Sequence, residues 1–230
     1  MTEIELRGLM VAQMREWLGA VEGDARHREI VDTYNSIRPL PVGYKLQYTD
    51  SWCAGTVSSA AQKCGLEDIV YPECSCPRMV DLYRQAGHWV EDDGYIPKPG
   101  DLIFYGWSDS GKGDYWGQPD HVGLVEKCDG KTITVIEGNR NDQVQRRTIL
   151  INARYIRGFG TPDYASKADK TPDKLTGFPD VAAGAWYEAD VKWAAQRGVL
   201  TGYPDGTYKP AQAVTRAELA AVLRRYDESR

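Results

Sequence analysis

The hydrophobic pattern of this 230-residue chain changes its period near residues 97–100, and this change limits the possible folds more than any other feature. Before it, apolar residues recur every three to four positions, which predicts helices. These helices are expected at about 4–20, 26–35, 52–64 and 77–87. After it, short apolar runs between turns predict strands, expected at about 101–105, 122–127, 132–137, 144–150 and 154–159. Helices followed by antiparallel strands predict an α+β domain.

A second division falls after residue 164. Residues 165–177 are polar and include a proline, which predicts a linker. Two further helical patterns follow, at about 186–197 and 215–226. The sequence therefore predicts a first domain at 1–164 and a small all-α module at 178–230.

Composition narrows the classes of partner. The chain is 42% hydrophobic and 27% charged, which is typical of a globular protein. Its net charge of −5 provides no cationic surplus, so we expect no nucleic-acid partner. No apolar run is long enough for an integral membrane segment. The first residues, MTEIELRGLM, lack the basic stretch and apolar core of a secretory signal, which predicts a cytoplasmic location.

The five cysteines do not suggest a disulfide framework. Their number is odd and no secretory signal is visible, so reduced thiols are expected. The spacing Cys74-x-Cys76 is compatible with a metal ligand pair, but the chain has no second close pair and only three histidines. We expect no metal site, and four of the cysteines are interpreted as mostly buried thiols: Cys64, Cys74, Cys76 and Cys128.

Cys53 is the candidate nucleophile. It lies in the first turn of a predicted helix that Asp50 or Ser51 could cap. Unpaired backbone N–H groups and the helix dipole at such a position favour a thiolate. The N–H of Cys53 could also help to stabilise an oxyanion. The alternative is that this cysteine is only a small apolar filler, which is the commoner role of an isolated cysteine.

A histidine and an acid in the second half strengthen the catalytic interpretation. His121 opens one predicted strand, and Glu137 and Asn139 end the next. Side chains at i and i+2 share a face of a strand, so Glu137 and Asn139 could both lie beside the imidazole. Nucleophile, base and orienting group are the parts of a thiol hydrolase. Taken singly, His121 could be an ordinary histidine at a strand end and Glu137 a solvated charge.

The hairpin between these strands decides whether the site can form. A two-residue loop at Asp129-Gly130 would place Glu137 and His121 on opposite faces. A three-residue loop ending at Gly130 with positive φ would place His121 directly opposite Glu137. A slip of one residue inverts every side chain, so only the three-residue loop puts both residues on one face and builds the site. We therefore predict the three-residue loop. It also predicts that Gly123 lets the helix of the nucleophile approach closely.

Four segments resemble the CHAP family: DSWCAGTVSSAAQKCGL, PKPGDLIFYGW, DHVGLVEKCDGKTITVIEGN and RRT…NARYIRGFGTPDY. The resemblance covers about residues 1–164. It implies a papain-like fold and a cysteine- and histidine-dependent amidohydrolase or peptidase that cleaves peptidoglycan. By position it makes Cys53 the nucleophile and His121 the general base and then acid. Glu137 would orient the histidine and Asn139 would support the site.

The resemblance also bears on the residues before the nucleophile. Gln47 and Tyr48 could donate to the oxyanion, as a polar residue does in papain-like enzymes. Several CHAP endolysins carry an Asp-rich calcium loop here, but residues 43–50 contain one acid. Calcium needs several oxygen ligands, so we expect no calcium requirement and no cofactor.

The C-terminal segment, which begins FPDVAAGAWYEADVKW, resembles one S-layer homology (SLH) motif, whose signature appears at residues 215–218. Such motifs bind secondary cell-wall polymers, which would make Thr215, Arg216 and Glu218 binding residues. The alternative is that Arg216 only braces a helix start. The family usually carries three motifs in tandem, and about fifty residues alone bury little apolar surface. Self-association through this module is therefore expected.

The sequence as a whole predicts a peptidoglycan hydrolase of the endolysin type, held in the cytoplasm until release and acting at the bacterial cell wall. The same resemblance is compatible with a bacterial autolysin. A different class, a non-catalytic wall-binding protein with a CHAP-like fold, is the third interpretation. Amidase and endopeptidase activities share these residues and both stay open.

Overall fold

The structure, a computed structural model, describes residues 1–110, 116–168, 178–182 and 184–228. The chain divides into two compact units, residues 1–168 and 169–230. Residues 165–168, which the sequence assigned to the linker, lie in the first unit. They belong to or adjoin a short helix, Tyr164–Lys167, that is anchored by the fully buried ring of Tyr164. The rest of the predicted linker lies outside the described residues.

The predicted helices of the first unit are confirmed with shifted ends. The first begins with a capping box between Thr2 and Glu5 and ends at Glu16, four residues before the predicted end. Two short helices, Glu67–Val70 and Tyr164–Lys167, were not predicted. The helices of this part are α1 Glu3–Glu16, α2 Ala25–Ser36, α3 Cys53–Cys64, α4 Glu67–Val70 and α5 Cys76–Gln85. The helix Tyr164–Lys167 is α6.

Six antiparallel strands form one sheet in the order β1-β6-β2-β3-β4-β5. Five of them were predicted, and the two-residue β1 was too short to leave a pattern. The strands are β1 Trp89–Val90, β2 Leu102–Tyr105, β3 His121–Cys128, β4 Thr132–Arg140, β5 Gln143–Leu150 and β6 Ile156–Gly160. The first unit is therefore an α+β fold, as predicted.

Alternation along the strands gives the sheet two different faces. One face packs on the helices through Leu102, Phe104, Val122, Leu124 and Ile136. The other carries a smaller apolar cluster that includes Ile103, Tyr105, Val125, Ile133 and Val135. His121 is in register with the second set, since it lies four residues before Val125 on the same strand.

The turn between β3 and β4 differs from the predicted one. Gly130 has a φ of 87°, as expected. However, the last strand pair joins Cys128 to Ile133, and the N–H of Asp129 donates to the carbonyl of Thr132 at 3.2 Å. The predicted three-residue loop is therefore wrong. The glycine is instead the first residue of a two-residue loop, where a type II′ turn needs positive φ.

A bulge in β3 brings His121 and Glu137 back to the same face of the sheet. The register shifts just after Val125, so β3 carries an extra residue there. Beyond the bulge Val125 pairs with Val135. Gly123 then faces Glu137, and a Cβ built on this glycine would lie 2.7 Å from the Cγ of the glutamate. His121 is thus offset by two residues from its predicted partner, and an offset of two keeps both side chains on one face.

Gly138, and not the predicted Gly123, is the glycine that lets α3 approach the sheet. A Cβ on Gly123 would meet side chains of β4. A Cβ on Gly138 would lie 2.0 Å from the Oγ1 of Thr56 on α3. That hydroxyl donates to the carbonyl of Trp52 at 2.8 Å, which holds it in place. Helix α3 also packs against α1, α2 and β3.

The described part of the second unit contains two helices, α7 Glu188–Gln196 and α8 Arg216–Glu228, and no strand. The carboxylate of Asp180 accepts hydrogen bonds from the backbone N–H groups of Tyr208 and Lys209, which ties the start of the unit to the turn between the helices. Turns occupy much of this part, and the all-α assignment stays a prediction. None of the described helices is long and apolar enough to cross a membrane.

Few apolar side chains of the second unit are buried. Val191, Ala194 and Val199 are, whereas the larger ones stay accessible. Trp186 is 87% exposed, and Trp193, Leu219 and Leu223 are also exposed. The expectation that this unit needs cover is consistent with that exposure, and self-association stays a prediction.

Gly138→Ala tests the contact between α3 and β4. The added methyl would collide with Thr56, so the free energy of unfolding should fall by about 1–3 kcal/mol or more. Gly8→Ala is the control, because nothing lies within 4 Å of a Cβ there and alanine favours a helix by up to about 1 kcal/mol. Urea unfolding measures both. Equal midpoints for the two variants would contradict the close approach.

Candidate functional site

Helix α3 begins at Cys53 with its first N–H groups uncapped by side chains. Its N-cap residue is Trp52, and no side chain of the described residues caps the helix. The predicted caps are wrong: the carboxylate of Asp50 instead accepts from the backbone N–H of Gln47 at 2.7 Å. The first-turn N–H groups are therefore available to the sulfur of Cys53 or to a bound anion.

Three side chains form a row that starts at this helix. Cys53 and His121 are both buried, and their side chains interact electrostatically. The Nε2 of His121 lies 3.2 Å from the Oε2 of Glu137, which is completely buried. Since Nε2 is engaged by the carboxylate, Nδ1 is the ring nitrogen left for the sulfur. The structure thus brings together the three residues that the sequence predicted as nucleophile, base and orienting acid.

The charges in this row favour an ion pair. Burial lowers the pKa of His121, but hydrogen bonds to Cys53 and Glu137 outweigh it and raise the pKa to about 9. A hydrogen bond with Cys76, together with the histidine, lowers the pKa of Cys53 well below its ordinary value despite burial. Between those two pKa values the sulfur is a thiolate and the ring is an imidazolium.

Arg147 completes the row and was missed in the sequence. Its Nε donates to the Oε1 of Glu137 at 2.6 Å, and its Nη2 donates to Oε2 at 3.0 Å. Burial would raise the pKa of Glu137, yet hydrogen bonds from His121 and Arg147 lower it, so the carboxylate stays charged. Arg147 pairs with Val135 across β4 and β5, which makes it a diagonal neighbour of Glu137. Only the strand register could have revealed it.

Two aromatic rings border the histidine. Tyr105 and Trp107 stack with ring centroids 5.2 Å apart, and each centroid lies 5.9 Å from that of His121. The guanidinium of Arg147 lies 5.0 Å from the Tyr105 ring and 5.2 Å from the Trp107 ring. Burial and the charge of Glu137 raise the pKa of Tyr105 well above its ordinary value, so it remains a neutral phenol. Trp107 is 42% exposed and forms the outer wall.

A second cysteine touches the candidate nucleophile. The Sγ of Cys76, the first residue of α5, lies 3.7 Å from the Sγ of Cys53. All five cysteines are free; Cys76 is buried and Cys64, Cys74 and Cys128 are half-buried. The interpretation of these four cysteines as ordinary buried thiols did not predict the contact of Cys76 with the candidate nucleophile. Contact across 23 positions of sequence leaves no local signal.

The backbone of Asn139 departs from the regular strand that the prediction assumed. Its φ of 56° lies in the left-handed region, and the β4–β5 register is irregular between Glu137 and Arg140. Strict alternation therefore fails at this residue, and the i, i+2 argument does not apply to it. Within the described residues no hydrogen bond joins its side chain to His121.

The predicted oxyanion donors are engaged elsewhere. The side-chain amide of Gln47 donates to the carbonyl of Lys45 at 2.9 Å. The hydroxyl of Tyr48 donates to Asp32 at 2.8 Å. Within the described residues neither side chain hydrogen-bonds to the sulfur of Cys53, so we consider the uncapped N–H groups of α3 as the oxyanion donors.

No described group of three or more histidine, cysteine, aspartate or glutamate side chains is placed to hold a metal ion. The single acid of residues 43–50, Asp50, already accepts from Gln47 and from the hydroxyl of Tyr44. Independence from metals stays a prediction.

The three predicted wall-polymer residues lie at the start of α8. Thr215 and Glu218 form a reciprocal capping arrangement: the Thr215 N–H donates to the carboxylate at 2.8 Å, and the Glu218 N–H donates to the hydroxyl at 3.2 Å. These two residues thus have a structural role. Arg216 is the first residue of the helix and is exposed.

Comparison with known families agrees with both resemblances. The model of the CHAP domain matches residues 43–139, and that of the S-layer homology domain matches residues 177–220. The chain contains a CHAP domain and one SLH domain. The CHAP match includes Cys53, His121 and Glu137, and the SLH match includes Thr215, Arg216 and Glu218.

Curated relatives of similar sequence include S-layer proteins. S-layer protein EA1 of Bacillus anthracis is 44% identical over 46 residues, and the S-layer protein of Bacillus licheniformis is 41% identical over 46. Each match covers 20% of this chain and 5% of the relative. A cellulosome-anchoring protein of Acetivibrio thermocellus is 35% identical over 51 residues, or 22% of this chain and 11% of that protein. The chain thus spans a small fraction of the length of these relatives.

Two solved structures of Ly7917 are similar to parts of the chain. One has a TM-score of 0.38 and 13% identity, and covers 68% of this chain and 62% of that one. The other, described as Ly7917 with the hydrolyzing product of MDP, has a TM-score of 0.34 and 16% identity over 59% of this chain and 62% of that one. TM-scores this low do not establish a shared fold.

Glu137→Gln tests the charge of the row. The raised pKa of His121 keeps the imidazolium below about pH 9, and the ion pair is lost as the pH rises through that value. Loss of the adjacent negative charge should lower this pKa by about one to two units. The rate of Cys53 alkylation by iodoacetamide is measured against pH. The alkaline limb of this profile, where the imidazolium loses its proton, should move to lower pH by the same amount.

Glu126→Gln is the matched control for this change. Glu126 is also a buried carboxylate of the same sheet, held by Arg15 and Arg146 instead of the histidine. Its substitution should leave the alkaline limb in place. An unmoved limb in Glu137→Gln would remove the glutamate from the row.

Proposed function

We propose that the chain is a peptidoglycan hydrolase that cleaves an amide bond with Cys53 as a thiolate nucleophile. The observation that carries this proposal is the buried row of Cys53, His121 and Glu137 within a CHAP domain, with its cysteine at an uncapped helix start. Each group is in the charge state that the reaction needs. A purely wall-binding protein would not require the ion pair, and this favours the enzyme over the non-catalytic alternative.

The reaction follows from the geometry. The thiolate attacks the amide carbonyl, and the developing oxyanion is stabilised by the free N–H groups at the start of α3. The imidazolium of His121 gives its proton to the leaving amine, and a thioester remains on Cys53. The neutral imidazole then takes a proton from water, which attacks the thioester, and the thiolate is released. In a papain-like arrangement of this kind no metal is needed.

Glu137 and Arg147 act on this cycle through the histidine. The carboxylate favours the imidazolium that donates the proton, and it fixes the ring by its bond to Nε2. Arg147 holds both carboxylate oxygens and keeps the acid charged. We therefore assign Glu137 the orienting role, and Asn139 a minor one.

The SLH domain supports an action of this activity at the cell wall. Its match to S-layer proteins supports binding to a wall polymer, in which the exposed Arg216 could grip an acidic sugar with its planar fork. Of the hydrolases that act there, we propose the endolysin type. A bacterial autolysin is the second candidate, favoured by the S-layer proteins among the relatives.

Cys53→Ser tests the nucleophile. A hydroxyl cannot form the ion pair at neutral pH, so clearing of a wall suspension should slow by more than about 1,000-fold, with the fold retained. Cys64→Ser is the control, because Cys64 ends the same helix and burial raises the pKa of its thiol to about 11. Iodoacetamide should modify Cys53 before Cys64. Mass spectrometry of the released muropeptides identifies the amide. Undiminished clearing by Cys53→Ser would contradict the mechanism.

Arg216→Glu tests the wall-binding role. Reversal of this exposed charge should reduce the fraction of protein that sediments with walls by about tenfold, while cleavage of small soluble fragments is unchanged. Arg225→Glu makes the same change of charge in the last turn of α8 and should sediment like the original protein. If both variants sediment equally, Arg216 only braces the helix.

A further inference from the structure

The mechanism above leaves one buried nucleophilic group unused. Cys76 begins α5 and is 5% exposed, as is Cys53. Their sulfur atoms are 3.7 Å apart, within the range of a hydrogen bond between a thiol and a thiolate. No other pair of cysteine sulfurs in the described residues is in such contact.

The direction of this hydrogen bond follows from the surroundings. Cys53 has His121 and the backbone N–H of Ala54 beside it, and both favour a negative charge on its sulfur. Cys76 lies next to that negative sulfur and is buried, and both raise the pKa of its thiol well above the ordinary value. Cys76 therefore keeps its proton, and its S–H is the donor.

We propose that Cys76 is a further catalytic residue, whose thiol donates a hydrogen bond to the Cys53 thiolate and keeps that sulfur anionic before attack. The proposal rests on the proposed function, in which this sulfur is the reacting atom. The thiolate is then stabilised by three groups: the imidazolium of His121, the N–H of Ala54 and the thiol of Cys76.

The bond has opposite consequences at low and at high pH. It increases the fraction of thiolate where protons compete for the sulfur, because it stabilises the anion. It also lowers the intrinsic reactivity of the thiolate, since nucleophilicity falls as the pKa falls. The same donor assists the second step, in which the thiolate leaves the thioester. A residue that only fills space would produce neither effect on the pH profile.

The test is the rate of Cys53 alkylation by iodoacetamide against pH, in the full chain, with the modified residue identified by mass spectrometry. Cys76→Ala removes the donor, so the acidic limb of the rate profile, where the Cys53 thiol loses its proton, should move to higher pH by about one unit. The plateau should rise by about threefold, as expected for that change of pKa. Cys76→Ser keeps a donor, and its acidic limb should stay within about 0.3 units of the original one.

Cys74→Ala is the matched control. Cys74 lies two positions away, and its thiol donates to Glu73 at 3.5 Å. Its substitution should leave both the limb and the plateau unchanged. If Cys76→Ala does not fold, as judged by circular dichroism, Cys76→Val fills the volume without a donor and takes its place.

An acidic limb that stays in place in the variant without a donor overturns the proposal. Equal shifts in Cys76→Ser and Cys76→Ala also overturn it, because the effect would then be one of packing. Alkylation requires no substrate, so the result is independent of whether walls are cleaved. Failure of the proposed function would appear instead as a Cys53 that is reactive in a protein without activity on peptidoglycan.

Discussion

The close contact of α3 with β4 is the constraint on which the rest of the site depends. It is possible because Gly138 has no side chain where Thr56 lies, and it brings the uncapped start of the helix to the end of the sheet at which β3 begins. One contact thus provides both the position of Cys53 and the free N–H groups around it. A side-chain cap would have satisfied those groups and removed them from the chemistry.

The charges extend this arrangement across the sheet. Arg147, Glu137, His121 and Cys53 alternate in sign along one row, and each neighbour stabilises the charged form of the next. If one member of such a row were missing, its neighbour would be a buried charge with neither a partner nor water around it. The buried row is therefore favourable only when all of its members are present. The aromatic rings beside it exclude water from one side.

The sequence was sufficient where the signal is local and insufficient where it depends on register or long-range packing. Hydrophobic periodicity located most helices and strands, whereas alternation along β3 and β4 allowed two hairpin registers, and only the choice of a three-residue loop put His121 and Glu137 on one face. The bulge after Val125 leaves little trace in composition, so the predicted register was wrong even though the face was right. Arg147 and Cys76 approach the site only through tertiary contacts, and no spacing along the chain encodes them.

The two outer edges of the sheet are protected in different ways. At one side β1 is only two residues long, which offers little backbone for another chain to pair with. At the other, β5 carries Arg146 and Arg147, whose charges are fixed by Glu126 and Glu137. Charged side chains on an edge strand hinder the addition of foreign strands. The start of this edge is covered, because the backbone of Gly19 and Ala20 hydrogen-bonds to Val144. The arginine that braces the acid of the site is therefore also a charge on an edge strand, so one position serves both the candidate site and the edge of the sheet.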